Sequence, residues 1–346
     1  MFVNASFFSY FQPNLILALL IVVLTKSYKI RIQMSLKRKI QFYFTFILLF
    51  FLLLCGDVFA GQIKVATYNI RNFDYDQRSR TPTNKMELKK ILKSINFDLL
   101  AVQEIGKTNQ FKNYIAQHFP QNFQTFLSRC GGSNDQHLGF IVDLSKFKII
   151  EFREDERTVN VSSKAGRRNE NCFQRGSRPV AILKALHRTS DQKIAIISVH
   201  LKAGGSSRSV SKRFKQIARV LDLKEELKNN GYDKIIILGD FNTTEFLSRS
   251  GYMQQRFQDR LSKAQMKNQT KTVQCTSYWW GNRDDNYFYP SQLDHIVTSD
   301  NIRSSRRPKI YGHCKQLDCR ASHEDGMQVS FNEVSDHCPL AIELEI

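Results

Sequence analysis

Ile235-Ile236-Ile237-Leu238-Gly239-Asp240-Phe241-Asn242 is a run of apolar, largely β-branched residues broken by a carboxylate and then a carboxamide. A buried strand that delivers a polar side chain to the edge of a sheet has this form. Val65-Ala66-Thr67-Tyr68-Asn69 and Leu99-Leu100-Ala101-Val102-Gln103-Glu104 repeat it, and the apolar run Ile194 to Val199 ends at His200. Leu293-Asp294-His295-Ile296-Val297 sets a carboxylate beside a strand, and Ser335-Asp336-His337 adds a carboxylate and an imidazole near the C-terminus. These segments predict one shared site made of Asn69, Glu104, His200, Asp240, Asn242, Asp294, Asp336 and His337.

Hard oxygen donors with few sulfurs or imidazoles favour Mg2+ or Ca2+ over zinc. Two histidines beside carboxylates supply proton transfer near neutral pH, because a carboxylate partner orients an imidazole and raises its pKa. Metal and His/Asp chemistry together fit phosphodiester cleavage.

At these motifs the chain resembles the endonuclease/exonuclease/phosphatase superfamily of deoxyribonuclease I and the abasic-site endonucleases. Thr67-Tyr68-Asn69-Ile70, Val102-Gln103-Glu104, Ser198-Val199-His200-Leu201, Gly239-Asp240-Phe241-Asn242, Leu293-Asp294-His295-Ile296 and Ser335-Asp336-His337-Cys338-Pro339 occur in the family's order. They span most of the chain from Ile63 onward. The resemblance implies an α/β (α+β) four-layer sandwich, two packed mixed β-sheets flanked by helices. It implies Glu104 as the principal metal ligand, with Asn69 and Asp336 completing the metal and phosphate shell, and Mg2+, Mn2+ or Ca2+ as cofactor. Asp240 and Asn242 would orient the attacking water and the scissile phosphate. His337, held by Asp294, would stabilise or protonate phosphate oxygens, and His200 would be the second catalytic imidazole. In deoxyribonuclease I-like members a glutamate orients that imidazole from just before a strand. Here the stretch is Asn134-Asp135-Gln136-His137-Leu138, leaving the task to Asp135, to Gln136 or to neither.

The chain has 346 residues, enough for one large domain or two small ones. Ile40 to Leu54 is an apolar stretch behind Lys37-Arg38-Lys39 and ahead of Val58-Phe59-Ala60, the order of parts in a secretory signal cleaved before Gly61. Met34 stands where such a signal begins, so residues 1–33 read as an upstream over-extension, the alternative being a membrane anchor at Leu15 to Leu24. Neither stretch clearly reaches the roughly 18 to 20 apolar residues of a membrane-spanning helix. The expectation is a leader over 1–60 and a single catalytic domain over 61–346, secreted or periplasmic, monomeric, with no stable membrane span once mature.

Without the leader the cysteines are Cys130, Cys172, Cys275, Cys314, Cys319 and Cys338, an even number that suggests up to three disulfides in an exported chain. No Cys-x-x-Cys pair points to a zinc module. The full chain carries 51 Lys and Arg against 32 Asp and Glu; the leader removes six and one, so the mature part keeps a net charge of +14. That excess favours a polyanionic substrate, DNA or RNA.

Leu88, Ile91, Leu92 and Ile95 fall at helical spacing, as do Phe214, Ile217, Ala218 and Leu221 in a helix that should stop near Asn230-Gly231. Leu138 to Val142 and Ile149 to Arg153 are strands with no helix between them. The stretch from Arg157 to Pro179 holds Arg157, Lys164, Arg167, Arg168, Arg175 and Arg178 against Glu170 alone, and Lys202, Arg208, Lys212, Arg213 and Lys215 follow His200. These basic runs are candidate phosphate contacts, Arg178, Arg167 and Arg168 foremost; the alternative is ordinary solvated surface. Tyr278-Trp279-Trp280, with Tyr287, Phe288 and Tyr289, either packs into the core beside the site or offers exposed rings to bases, ribose or a membrane interface.

The leading reading is a secreted, divalent-metal-dependent endonuclease with little sequence specificity. The rival on the same scaffold is a sphingomyelinase-like or inositol-phosphate phosphoesterase, since fold and metal site do not choose the leaving group. A binding protein that has lost activity, such as a basic surface adhesin, is disfavoured because every core catalytic position holds a competent residue.

Overall fold

The computed structural model describes residues 61–76, 81–159, 161, 177–243, 251–281 and 284–346, together with Gln41. The rest of the proposed leader, Arg167, Arg168 and Cys172 lie outside the described residues.

Strands β1 (Gln62–Phe73), β2 (Leu99–Ile105), β3 (Phe123–Leu127) and β4 (His137–Asp143) are followed by β5 (Phe147–Asp155), β6 (Val180–His187), β7 (Lys193–His200) and β8 (Lys234–Asp240). Then come β9 (Met266–Asn268), β10 (Ser277–Trp279), β11 (Tyr287–Ser291), β12 (Asp294–Ser299) and β13 (Leu340–Glu345). The first sheet has the order β13-β1-β2-β4-β3, with two-residue strands Arg303–Ser304 and Lys309–Ile310 added along β13. The second has the order β9-β12-β8-β7-β6-β5. Each is mixed: β1 with β2, and β8 with β7, run parallel, and every other pair in these two sheets is antiparallel.

The apolar runs of the sequence split by the two-residue period of a strand. In β8, Ile236 and Leu238 join Ile196 of β7, Ile296 of β12 and Val65 and Ala101 of the first sheet in the core between the sheets. Ile235 and Ile237 point the other way, onto Phe214, Ile217, Val220 and Leu223 of helix α3 (Ser207–Asn229) and Phe257 and Leu261 of α4 (Tyr252–Lys263). On the outer face of the first sheet, Tyr68, Leu100 and Val102 meet Leu88, Ile91, Leu92 and Ile95 of α1 (Lys85–Ile95) and Phe111 and Ile115 of α2 (Thr108–His118). Burial on both faces explains why these strands lack polar alternation. The result is the four-layer α/β sandwich: helices, sheet, sheet, helices.

Helix ends follow local chemistry. Asn84 caps α1 by accepting from the Glu87 N–H, and Asn96 ends it in the left-handed conformation. Ser206 caps α3, which stops at Asn229 ahead of Gly231 at φ +83°. No helix among the described residues is long and apolar enough to cross a membrane.

A smaller sheet of β10, β11 and Ser322–His323 stands at the end of the sandwich, over a cluster of Cys275, Tyr278, Cys314, Met327, Phe331 and Cys338. Disulfides Cys275–Cys319 and Cys314–Cys338 staple this region. Cys130 is also disulfide-bonded.

Candidate active site

The same alternation that builds the core places the polar residues. His200, Asp240 and Asp294 continue the inter-sheet faces of β7, β8 and β12, in step with Ile196, Leu238 and Ile296. They are also register neighbours, Asp240 opposite His200 on one side and Asp294 on the other. A row of three titratable side chains therefore lies across adjacent strands where the apolar core ends. Gly239 makes the row possible: at φ +135° its position faces the Val199 carbonyl oxygen, which a Cβ would strike.

Across the gap, the first sheet contributes Asn69 and Glu104. Alternation alone would send Glu104 to the helix layer with Leu100 and Val102. Its backbone instead turns to φ +61°, and the β1–β2 register shifts just beyond Asn69. A left-handed non-glycine residue at a strand end is a strained geometry that the surroundings must hold. Asn69 Nδ2 bridges the sheets, donating to Glu104 Oε1 at 3.2 Å and to Asp240 Oδ2 at 3.2 Å. Beneath it, Thr67 Oγ1 donates to Gln103 Oε1 and Gln103 Nε2 donates to Ser198 Oγ, each at 3.2 Å. This buried bridge was not foreseen in the sequence, although Gln103 and Ser198 stood inside two of its motifs.

His337 Nδ1 lies 2.8 Å from Asp294 Oδ2, and its Nε2 lies 3.7 Å from Asp240 Oδ2. Burial opposes the imidazolium, yet the carboxylates of Asp294 and Asp240 hold its pKa well above the ordinary histidine value. Burial pushes the Asp240 carboxyl up to about 7; Asp294 and Glu104 add to this, while the His337 charge and the Asn242 N–H, donated at 2.8 Å, oppose it. Asn242 sits at φ +50°, with its Nδ2 on the Leu201 carbonyl at 3.2 Å. Ser335 links the halves of the site: its hydroxyl donates to the Asn69 carbonyl at 2.7 Å and accepts the His337 N–H at 3.0 Å.

His200 departs from the expectation of a raised pKa. Its Nε2 is 3.3 Å from Asp240 and 3.7 Å from Glu104, but burial and the nearby cations Arg178 and His337 pull its pKa well below the ordinary value. Its Nδ1 has no hydrogen-bond partner among the described residues. Neither Asp135 nor Gln136 orients the ring: Asp135 pairs with His137 Nε2 at 2.9 Å, and Gln136 Oε1 accepts from Arg178 Nη2 at 2.5 Å. Burial and the two cations thus disfavour the charged form of His200.

Arg178 is brought to the cleft, with its Nε unpartnered among the described residues. Burial lowers its pKa, while Glu104 and Asp240 work the other way. Two other basic candidates serve the scaffold. Arg157 is buried in ion pairs with Asp155 at 2.8 Å and Glu226 at 2.6 Å. Arg213, also buried, donates to the Lys202 and Gly204 carbonyls at 2.7 and 3.0 Å. Lys202 lines the cleft.

The cleft encloses about 670 Å3 and is lined by Glu104, Arg178, His200, Asp240, Asp336 and His337 among others. The aromatic cluster divides between its two readings: Tyr278 is buried in a core cluster with Phe288 packed against it, whereas Trp279 and Trp280 on the rim are 41% and 57% exposed.

The donor set fits a hard divalent cation. Burial, with the Asp336 charge adding to it, pushes the Glu104 carboxyl up. Neither Glu104 nor Asp336 has a lysine or arginine at ion-pair distance among the described residues. Two close carboxylates without such a partner are the donors that Mg2+, Mn2+ or Ca2+ satisfies. Asn69 would have to turn its amide to act as a ligand, since its oxygen accepts the Arg71 N–H at 3.0 Å and its nitrogen faces the carboxylates.

No curated protein sequence matches the chain. The structure is similar to an endonuclease/exonuclease/phosphatase family protein from Bacteroides thetaiotaomicron, at TM-score 0.57 and 17% identity over 82% of this chain and 95% of that one. It is similar to a mannosyl-6-phosphatase from the same species, at TM-score 0.55 and 18% identity over 82% and 100%. It is also similar to TDP2 from D. rerio complexed with a single-strand DNA product, at TM-score 0.54 and 14% identity over 83% and 100%. At these identities the likeness shows the fold. The profile of the endonuclease/exonuclease/phosphatase family matches residues 66–337. With that match over most of its length, the chain belongs to the endonuclease/exonuclease/phosphatase family.

Proposed function

We propose that the chain is an exported, divalent-metal-dependent phosphodiesterase that cleaves nucleic-acid strands with little sequence specificity. One observation carries the reading. Glu104, Asp240, the half-buried cation Arg178 and His337, which is paired with Asp294, line a single cleft in a chain of net charge +19. A phosphodiester brings a negative charge for Arg178 and leaving and attacking oxygens that need proton transfer.

In this reading Glu104 and Asp336 hold the metal, which stabilises developing phosphate charge when bound, and Asn69 braces Glu104. Asp240, with a carboxyl that titrates near neutrality, takes the proton of the attacking water, and Asn242 orients the phosphate. The His337 imidazolium, held by Asp294, donates to the phosphate oxygens. Neutral His200 offers an N–H rather than a charge. Arg178 binds the phosphate, as do Arg167 and Arg168. The disulfides suit an oxidising compartment, and residues 61–346 form the exported domain.

The exposed pair Trp279 and Trp280 favours a second reading, a phosphoesterase acting on lipid headgroups. Incubating the purified chain with plasmid DNA, RNA and sphingomyelin vesicles, in Mg2+ and then in EDTA, separates the two. Nicking of nucleic acid that EDTA and Glu104→Ala both abolish is the expected result. Headgroup release without nicking would overturn it.

A further inference from the structure

We infer that Trp279 and Trp280 form a stacking platform for an unpaired nucleobase next to the reacting phosphate, so that the cleft takes single-stranded or frayed strands. The inference rests on the nucleic-acid reading above and narrows its substrate. These two residues are the only tryptophans in the chain, and both stand exposed on the wall of the cleft that holds Glu104 and His337. Large rings left in water are an unfavourable arrangement unless something covers them.

The platform is held in place. Strand alternation turns Tyr278 inward, where its hydroxyl donates to the Arg320 carbonyl at 2.8 Å, and turns Trp279 outward opposite Tyr289 of β11. Gly281 then turns the chain at φ +73°, where a Cβ would come 2.9 Å from the Tyr289 ring. The strand is tied to the reacting groups: Ser277 forms a bridge with His337, and the Tyr278 N–H donates to the Asp336 carbonyl at 2.9 Å. An extended chain covers at most about 3.5 Å per residue, so the Trp280 backbone lies within about 10 Å of Ser277. Both disulfides close on this segment, through Cys275 before it and Cys338 beside His337. A backbone fixed in this way loses little freedom when a base stacks on the rings it carries.

The surroundings favour a base over a lipid. Exposed Asp284 and Asp285 follow Trp280 closely in the chain, with Asp285 accepting at 2.5 Å from the hydroxyl of Tyr289, the register partner of Trp279. Those charges would have to enter the interface with the rings. Elsewhere the cleft presents Arg178, Arg71 and Lys202 for a backbone. A base in a duplex already has both faces covered by its neighbours, so a free π-face belongs to an unpaired or terminal nucleotide.

Because the chain has no other tryptophan, its intrinsic fluorescence reports this surface directly. The full chain carrying Asp240→Asn, to prevent cleavage, is titrated with pentathymidylate and with an abasic pentamer of equal charge. We expect saturable quenching by pentathymidylate and binding of the abasic strand about tenfold weaker. Trp280→Ala should lose about tenfold for pentathymidylate alone, and Trp280→Phe should retain most of the affinity. Equal affinity for both pentamers, with the unmutated chain still nicking DNA, overturns the platform and leaves the nuclease reading intact. Failure to bind or cut either strand overturns both. A blue shift on sphingomyelin vesicles without quenching by pentathymidylate assigns the rings to lipid. The comparison of pentamers needs no change at Trp280, so it holds even if that variant misfolds.

Discussion

Replacing Asp294 by asparagine removes one charge at almost constant shape from a pair in which both residues are almost fully buried. With 2.8 Å between His337 Nδ1 and Asp294 Oδ2, the charge centres are about 4 Å apart, which at an effective dielectric constant of about 20 is worth ~4 kcal/mol. Part of that is retained, because Asp240 Oδ2 remains 3.7 Å from Nε2. A loss of ~3 to 4 kcal/mol corresponds to a drop in kcat of about 10²- to 10³-fold. The sign of the pH effect follows from the same causes. Burial lowers the His337 pKa and Asp294 is the largest of the opposing contributions, so the variant's imidazolium deprotonates at lower pH. Its residual activity should therefore peak at more acid pH than that of the unmutated chain. Rates of plasmid nicking from about pH 5 to 9, with the His337 ring titrated by NMR, measure both effects. A variant with unchanged kcat and a raised KM, or an unmoved His337 titration, would refute the claim that Asp294 acts through the imidazolium.

Asp240 links the site to stability. Its carboxyl is raised in the fold to about 7 from an ordinary 3.8, so its contribution is fully present below that ordinary value and is lost as pH rises toward 7. In EDTA, the Tm of Asp240→Asn relative to the unmutated chain should increase between about pH 5 and 8 by differential scanning fluorimetry; a difference that shrinks with pH would contradict the assignment. Gln136→Glu should place a carboxylate against Arg178, weakening nucleic-acid binding about tenfold and flattening the dependence of log K on log salt by about 0.9 if one duplex phosphate contact is lost. An unaltered slope would mean that Arg178 does not meet phosphate. Opening Cys275–Cys319 and Cys314–Cys338, which span 44 and 24 residues, should each cost ~2 to 4 kcal/mol. Cys314→Ala/Cys338→Ala should also lower kcat, since Cys338 adjoins His337; denaturation midpoints and nicking rates test both.

The strands, their order of use and the residues at their ends were legible in the chain because each rests on local chemistry. A strand covered on both faces must be apolar throughout, so Ile235 to Leu238 and Leu99 to Val102 announce themselves, and Asp240 and Glu104 mark where the apolar run ends. Helix α1 follows from the spacing of its apolar residues, and α3 from spacing and from Asn230-Gly231 at its end. Partnerships across the fold were another matter. That the His200 pKa is pushed down rather than up depends on burial of the ring and on the cations Arg178 and His337 that packing brings beside it. That Arg157 and Arg213 serve the scaffold while Arg178 faces the cleft depends on which carboxylates and carbonyls the packed layers bring to each. Trp279 is exposed and Tyr278 buried because a small sheet, clamped by distant cysteines, puts one face on the core and the other on the cleft. Residue type and periodicity are properties of a segment. Charge state and exposure are properties of neighbours, and for Asp240 and Asn69 those neighbours are 171 positions apart.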